Sequence, residues 1–270
     1  MRTQMQKAEL FRALHARPGA FIIPNPWDAG TAKLLTAMGF EALATTSLGL
    51  ANTLGSATVS LDAIIENCRV IAEATDLPVS ADLENCGADD PKTAAKAIAR
   101  AAAAGAVGGS IEDSTGDPRK PIYDFSLAVE RVQAAVEAAR ALPFPFMLTA
   151  RAENFLHGRK DLDDTIKRLQ AFEAVGADVL YSPGLYDIDT IRTAVSSVGK
   201  PFNLVMGFAD PMLTLPQLSE AGVKRISVGG AMERYALAAF LKCAREMKER
   251  GAFTYVREMA PIGELRAAFG

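Results

Sequence analysis

Read for apolar and polar positions, the chain alternates short apolar runs with stretches of helical periodicity at a steady pitch. The runs that read as strands lie at 20–24, 42–46, 78–82, 107–111, 146–150, 178–181, 202–205 and 225–228, eight in all, and the segments between them carry helix signals. Residues 91–104 open with a proline and are followed by Gly105, and residues 161–175 are stopped by Gly176, the usual asymmetry of helix ends. The phrases "AMGFEALATTS", "AAGAVGGSIED", "AVGADVLYSPG" and "EAGVKRISVGG" share one grammar, in which a helix ends on a small residue and glycine and a strand begins. Eight such βα units predict an α/β chain folded as a (β/α)₈ barrel of the TIM type.

A short amphipathic helix over 7–15 precedes the first strand, and a helical pattern over 229–249 leads into a tail at 251–270 whose Phe253, Tyr255, Val256 and Met259 suggest docking. No linker splits the chain, so residues 1–270 read as one barrel domain with a helical tail, about 229–270, in a subunit contact. The length suits this reading, since barrels of this kind typically run to roughly 250 residues.

Composition narrows the function. With 49% apolar residues, 23% charged residues and a net charge of −3, nothing favours a phosphate backbone, and nucleic acid is not an expected partner. The first twenty residues lack an apolar signal core, and no run reaches about 18 apolar residues, so secretion and membrane insertion are disfavoured. Three widely spaced cysteines, Cys68, Cys86 and Cys243, read as reduced thiols of a cytoplasmic protein. His15 and His157 leave little room for a histidine metal site, and neither reads as a catalytic base.

Polar groups gather just after the strand runs, where this fold builds its active sites. Asp82 and Glu84 are two residues apart, so on an extended segment both carboxylates point one way, and Glu112 leaves the adjacent strand at the same end. Such oxygen ligands suit Mg²⁺, or Mn²⁺, which keeps several waters and takes one or two carboxylates directly. Solvated loop acids or helix N-terminal charges are the alternative, since Asp89, Asp90 and Pro91 are capping material. Arg151, followed by Glu153 and Asn154, is either a clamp for a substrate carboxylate or a structural ion pair with one of the acids. Thr46, Ser47 and Leu48 offer hydroxyls and N–H groups to an anion or simply cap the next turn. Trp27 reads as a pocket wall or barrel lid, and Asp28 as a site residue or a helix cap.

Together these residues resemble the isocitrate lyase / phosphoenolpyruvate mutase superfamily from about Phe21 to about Tyr235. The markers are "PNPWDAGTAKLL" (24–35), "ALATTSLGLANTLG" (42–55), "ADLENCGADDP" (81–91), "GGSIEDS" (108–114), "LTARAENFL" (148–156) and "RISVGGAMER" (225–234). The resemblance implies Mg²⁺ on Asp82, Glu84 and Glu112, directly or through water. It implies a substrate carboxylate on Arg151, and substrate contacts at Thr46, Ser47, Leu48 and, loosely, Asn203, with Trp27, Asp28 and Glu153 completing the expected set. It also implies a homo-oligomer, a tetramer or dimer, with the last helix exchanged between subunits.

The chain departs from the isocitrate-lyase subgroup, whose Lys-Lys/Arg-Cys-Gly-His loop is replaced by Ser114 to Lys120 without cysteine or histidine. Arg119 and Lys120 read there as a basic gate or as a solvated loop, and Arg151, Glu112 and Lys120 form the expected catalytic set. Cys86-Gly87-Ala88 stands where a more flexible Gly-aromatic-Gly loop is usual, and residues 55–59 lack an acid important to the mutases. The expected activity is a Mg²⁺-dependent carbon–carbon lyase of the 2-methylisocitrate lyase kind, acting on a small 2-hydroxy or 2-oxo acid through an enolate-like intermediate. The alternatives are an oxaloacetate decarboxylase or phosphonopyruvate hydrolase/mutase, and an inactive 2-oxo-acid binding protein.

Overall fold

In the computed structural model, which describes residues 1–208 and 213–270, the eight runs form eight parallel strands. They are β1 (Phe21–Ile23), β2 (Leu43–Ala44), β3 (Val79–Ala81), β4 (Gly108–Glu112), β5 (Met147–Arg151), β6 (Val179–Tyr181), β7 (Phe202–Val205) and β8 (Arg225–Ser227). Pairing runs β1-β8-β7-β6-β5-β4-β3-β2, and Ala44 N donates to Pro24 O at 3.0 Å across the remaining gap. The sheet is thus a nearly closed (β/α)₈ barrel. β1, β2, β3 and β8 end one or two residues before their apolar runs, whereas β4 and β5 extend one residue beyond theirs, to Glu112 and Arg151. Thr46 leaves β2 to accept from Gly49 N as the cap of the next helix.

The helices are α1 (Gln4–Ala16), α2 (Ala29–Ala37), α3 (Ser47–Thr53), α4 (Leu61–Ala74), α5 (Pro91–Ala103), α6 (Phe125–Arg140), α7 (Leu162–Ala174), α8 (Ile188–Ser196), α9 (Leu215–Glu220), α10 (Ala231–Arg250) and α11 (Ile262–Phe269). Asp90, Asp161 and Asp187 each accept a backbone N–H as caps of α5, α7 and α8. The repeated αβ joint has a conformational cause: Gly105 and Gly176 adopt φ of +96° and +103°, where a side chain is strained. The main core lies between the sheet and the helical ring, with Ile98, Val132, Phe146, Leu148, Leu169 and Phe172 buried in one cluster.

α1 closes the N-terminal end of the barrel by setting Phe11 and Leu14 against Phe21, Ile23, Val107 and Met147. Gly108 accommodates that plug, since a Cβ there would lie 2.7 Å from the Phe11 ring. At the other end of the chain, α10 buries only Glu233, whereas α11 returns to pack on α2 and Lys33 Nζ donates to Phe269 O at 3.1 Å. Part of the tail therefore docks within its own chain, while Phe253, Val256 and Met259 remain exposed. Among the described residues no helix is long and apolar enough to cross a membrane.

Candidate active site

The C-terminal strand ends open on a cavity of about 370 Å³. Asp82 leaves β3 with its N–H donated to Thr45 Oγ1 at 2.8 Å, and it accepts from Ser47 N and Ser47 Oγ at 3.0 and 2.8 Å. The chain then turns sharply, placing Glu84 and Cys86 at φ of +50° and +61°. Non-glycine residues rarely adopt such angles, and they gather where a loop is held for function. Glu112 ends β4 directly opposite Arg151 at the end of β5.

Arg151 organises the site. Its guanidinium contacts Asp82 Oδ1 at 3.0 Å, Glu112 Oε2 at 3.2 Å and Glu153 Oε1 at 2.8 Å, with the Tyr181 ring 4.8 Å from its carbon centre. Burial opposes the charge, but Glu153, Glu112, Tyr181 and Asp82 hold Arg151 well above its ordinary pKa. Burial raises Glu112 far above the carboxylate range against the pull of Arg151, and the charges of Glu153, Asp82 and Glu84 add to the rise. Glu84 is raised by burial and by Asp82. A second tier braces this layer: Asp113 accepts from Glu153 N at 2.8 Å and pairs with Arg168 at 2.9 Å, and Arg168 also holds Asp164 at 2.9 Å.

Four carboxylates, Asp82, Glu84, Glu112 and Glu153, thus stand about one guanidinium at the rim of the cavity. Only a proton or a further cation relieves that excess. Hard oxygen donors fit Mg²⁺ or Mn²⁺, but among the described residues no group of three or more His, Cys, Asp or Glu stands close enough to hold an ion by itself. The arrangement fits a cation with one or two direct carboxylates and the others reached through water, rather than three direct ligands.

Of the residues singled out in the sequence, Thr46, Ser47, Leu48, Asp82, Glu84, Glu112, Arg151, Glu153 and Asn203 line this one cavity. Three do not. Asp28 is the cap of α2, locked in a reciprocal box with Thr31. Trp27 lies outside the lining, its carbonyl taken by Asn67 and its Cβ near Gly49. Lys120 is drawn to solvent by a 2.6 Å ion pair with Asp124, and Arg119 likewise pairs with Asp117 at 2.9 Å, so neither forms a gate here. Conversely, His157 and Ser114 line the mouth, joined at 3.2 Å through Nε2 and Oγ. In the sequence His157 read as a surface residue of a polar loop; in the fold its N–H donates to Glu153 O at 3.1 Å, and Glu153 N donates to Asp113 Oδ1 at 2.8 Å.

Fold and site together define an enzyme of the lyase and mutase kind, an acid-lined (β/α)₈ barrel with a central arginine. Residues 11–248 match the phosphoenolpyruvate phosphomutase family, and the chain belongs to it. It is 29% identical over 245 residues to the 2-methylisocitrate lyase of Escherichia coli K12, covering 85% of this chain and 78% of that one. A provisionally named lyase/mutase structure from Burkholderia cenocepacia J2315 is 56% identical with a TM-score of 0.97, covering 99% of this chain and 96% of the other. A phosphonopyruvate hydrolase solved with oxalate and Mg²⁺ shares the fold, with a TM-score of 0.86 at 22% identity and coverage of 97% and 94%.

Proposed function

We propose that this chain is a Mg²⁺-dependent lyase that cleaves a carbon–carbon bond of a small 2-hydroxy or 2-oxo carboxylic acid, with chemistry akin to 2-methylisocitrate lyase. The observation that supports it best is the meeting of Asp82, Glu84 and Glu112 with Arg151 in a cavity sized for a small acid. Asp82, Glu84 and Glu112 would hold a divalent cation, which would supply positive charge against the negative charge that develops as the bond breaks.

The chain's own groups do the rest. Arg151, relieved of part of its pairing with Asp82 and Glu112, turns two N–H groups on the substrate carboxylate. Ser47, once its hydroxyl and N–H exchange Asp82 for the ligand, and the neighbouring Leu48 N–H orient the same end of the molecule. Glu153 keeps the guanidinium plane fixed through its bond to Nε. His157, hydrogen-bonded to Ser114 at the mouth, carries the proton that the leaving fragment requires, in place of the absent cysteine loop. Lys120 joins the catalytic set only by exchanging Asp124 for substrate.

We further infer a cytoplasmic homo-oligomer, a tetramer or dimer, built from a single barrel domain whose last helical segment meets a neighbouring subunit. The support is α10, which leaves Tyr235 81% and Phe240 67% exposed along a helix that buries almost nothing.

The test is turnover of 2-methylisocitrate, 2,3-dimethylmalate, oxaloacetate and phosphonopyruvate with and without Mg²⁺, products read by NMR. The reading expects Mg²⁺-dependent cleavage of a hydroxy acid, and in Asp82→Asn and Glu84→Gln a loss of Mg²⁺-dependent oxalate binding with the fold retained. Release of CO₂ from oxaloacetate alone would replace it with a decarboxylase, and tight oxalate binding without turnover of any acid would replace it with a binding protein. Unchanged metal dependence in both variants would remove the metal site.

A further inference from the structure

Below the carboxylate layer the barrel interior does not become apolar. Ser80 and Ser110 lie two residues before Asp82 and Glu112, and Thr149 two before Arg151, so all share the inward face. The cavity continues down past Ser80, Ser110 and Ser227 to Asn203 and Arg225. Arg225 is 5% exposed and its side chain crosses the barrel. Nε donates to Asn203 Oδ1 at 2.7 Å and Nη2 to Thr149 Oγ1 at 2.8 Å, and Nη1 faces His15 Nε2 at 3.4 Å.

Every one of these partners is neutral. His15 Nδ1 is engaged with Phe11 O at 2.8 Å, which leaves Nε2 as an acceptor toward the guanidinium. Burial, followed by the charge of Arg225, pushes His15 down to about 3. Among the described residues no carboxylate forms an ion pair with Arg225, and burial lowers it to about 10. A guanidinium carries five N–H donors, so two remain beyond the three contacts. The Ser80 hydroxyl, in a residue 5% exposed that lines the same space, has no protein partner among the described residues. A buried cation without a counter-charge is rare in folded proteins.

We propose that Arg225 and the Ser80 hydroxyl form a second anion site at the floor of the cavity, beside a Ser227 hydroxyl already held by Asn203 Nδ2 at 3.1 Å, taking a small singly charged anion the size of a carboxylate or halide. Its source is either the distal carboxylate of a dicarboxylate substrate whose other end lies at Arg151, or a free inorganic ion resident in the barrel. Only the first source rests on the reading under Proposed function.

The experiment follows melting temperature against sodium formate and sodium bromide at constant ionic strength, with gluconate as the balancing anion, for the wild type, Arg225→Met and Ser80→Val. A crystal in bromide locates the ion by anomalous scattering. The wild type is expected to show a saturable rise that both variants lose, with a bromide peak beside Arg225. Ser80→Val keeps the guanidinium and replaces a hydroxyl of the same cavity lining by a bulkier apolar group, so the proposal stays testable if Arg225→Met folds poorly. Equal anion dependence in all three proteins, or no peak at Arg225, overturns the site.

A second arm separates the sources by adding Mg²⁺ with oxalate or with 2-oxoglutarate. A substrate carboxylate at the floor predicts that 2-oxoglutarate removes the bromide peak and binds Arg225→Met about tenfold more weakly, while oxalate affinity is unchanged. A resident ion predicts that the peak persists with both acids. Failure to bind either acid would count against the lyase reading and leave the formate and bromide result standing.

Discussion

Replacing Arg151 by methionine removes the guanidinium and keeps an unbranched side chain of similar reach. Asp82, Glu112 and Glu153 then lose contacts of 3.0, 3.2 and 2.8 Å, and the four carboxylates lose the cation at the cavity rim. Removing one partner of a buried ion pair costs about 3–5 kcal/mol, and Arg151 serves three acids with 13% of its side chain exposed. In a chain of 270 residues, roughly 2 °C of melting temperature corresponds to 1 kcal/mol. The expected loss is therefore about 6–10 °C at pH 8 without metal. Two further effects distinguish a charge deficit from a packing defect. Mg²⁺ raises the melting temperature of the variant more than that of the wild type, because it replaces the missing charge. Lowering the pH toward 6 also stabilises the variant: Glu112 is already raised in the folded state by burial, so the folded protein takes up a proton that the unfolded chain does not. Calorimetry with and without Mg²⁺ at both pH values is the assay. A melting temperature within 2 °C of wild type, or equal Mg²⁺ stabilisation of the two proteins, refutes the electrostatic account.

Three other expectations follow from single contacts. His157→Asn should lower kcat about 100-fold or more on the substrate identified by the panel, with oxalate affinity unchanged, and a kcat within threefold of wild type rules out the proton role. His15, held down to about 3 in the folded state by burial against 6.5 unfolded, contributes stability that is complete above pH 6.5 and lost as pH falls toward 3. Urea unfolding of His15→Gln should therefore show a shallower decline below pH 6.5, by up to about 1.4 kcal/mol per pH unit, and coincident slopes would contradict this. Tyr235→Asp combined with Phe240→Asp should convert the oligomer to monomer in light scattering, whereas an unchanged mass would place the subunit contact elsewhere.

The barrel was legible because the joints before β2, β4, β6 and β8 repeat one pattern, a glycine at positive φ followed by an apolar run, and because the strands keep apolar residues on the face turned to the helices, Phe146, Leu148 and Ala150 among them. What the pattern did not reveal is where each run stops being strand. Thr46 belongs to the apolar run of β2 by position, yet its hydroxyl serves Gly49 N, and the choice between ladder and cap is made by the helix that follows. The site divides in the same manner. Asp82, Glu84, Glu112 and Arg151 were readable because adjacent strands end at one level, so neighbours in strand order become neighbours in space. Lys120 read as a basic gate or a solvated loop in the stretch that replaces the lyase loop, and Asp124, four residues on, holds it at the surface. His157 and Arg225 failed to stand out for the opposite reason. One meets the cavity lining through Ser114, 43 residues away in sequence, and the other because a long side chain at the start of β8 spans the barrel to Thr149 on β5. Strand order thus predicts the rim, where backbone position decides, and fails at the mouth and floor, where side-chain reach and ion pairing decide. The same reach gives the cavity a cation at its floor as well as at its rim, so a ligand entering at the carboxylate layer meets positive charge at two depths rather than one.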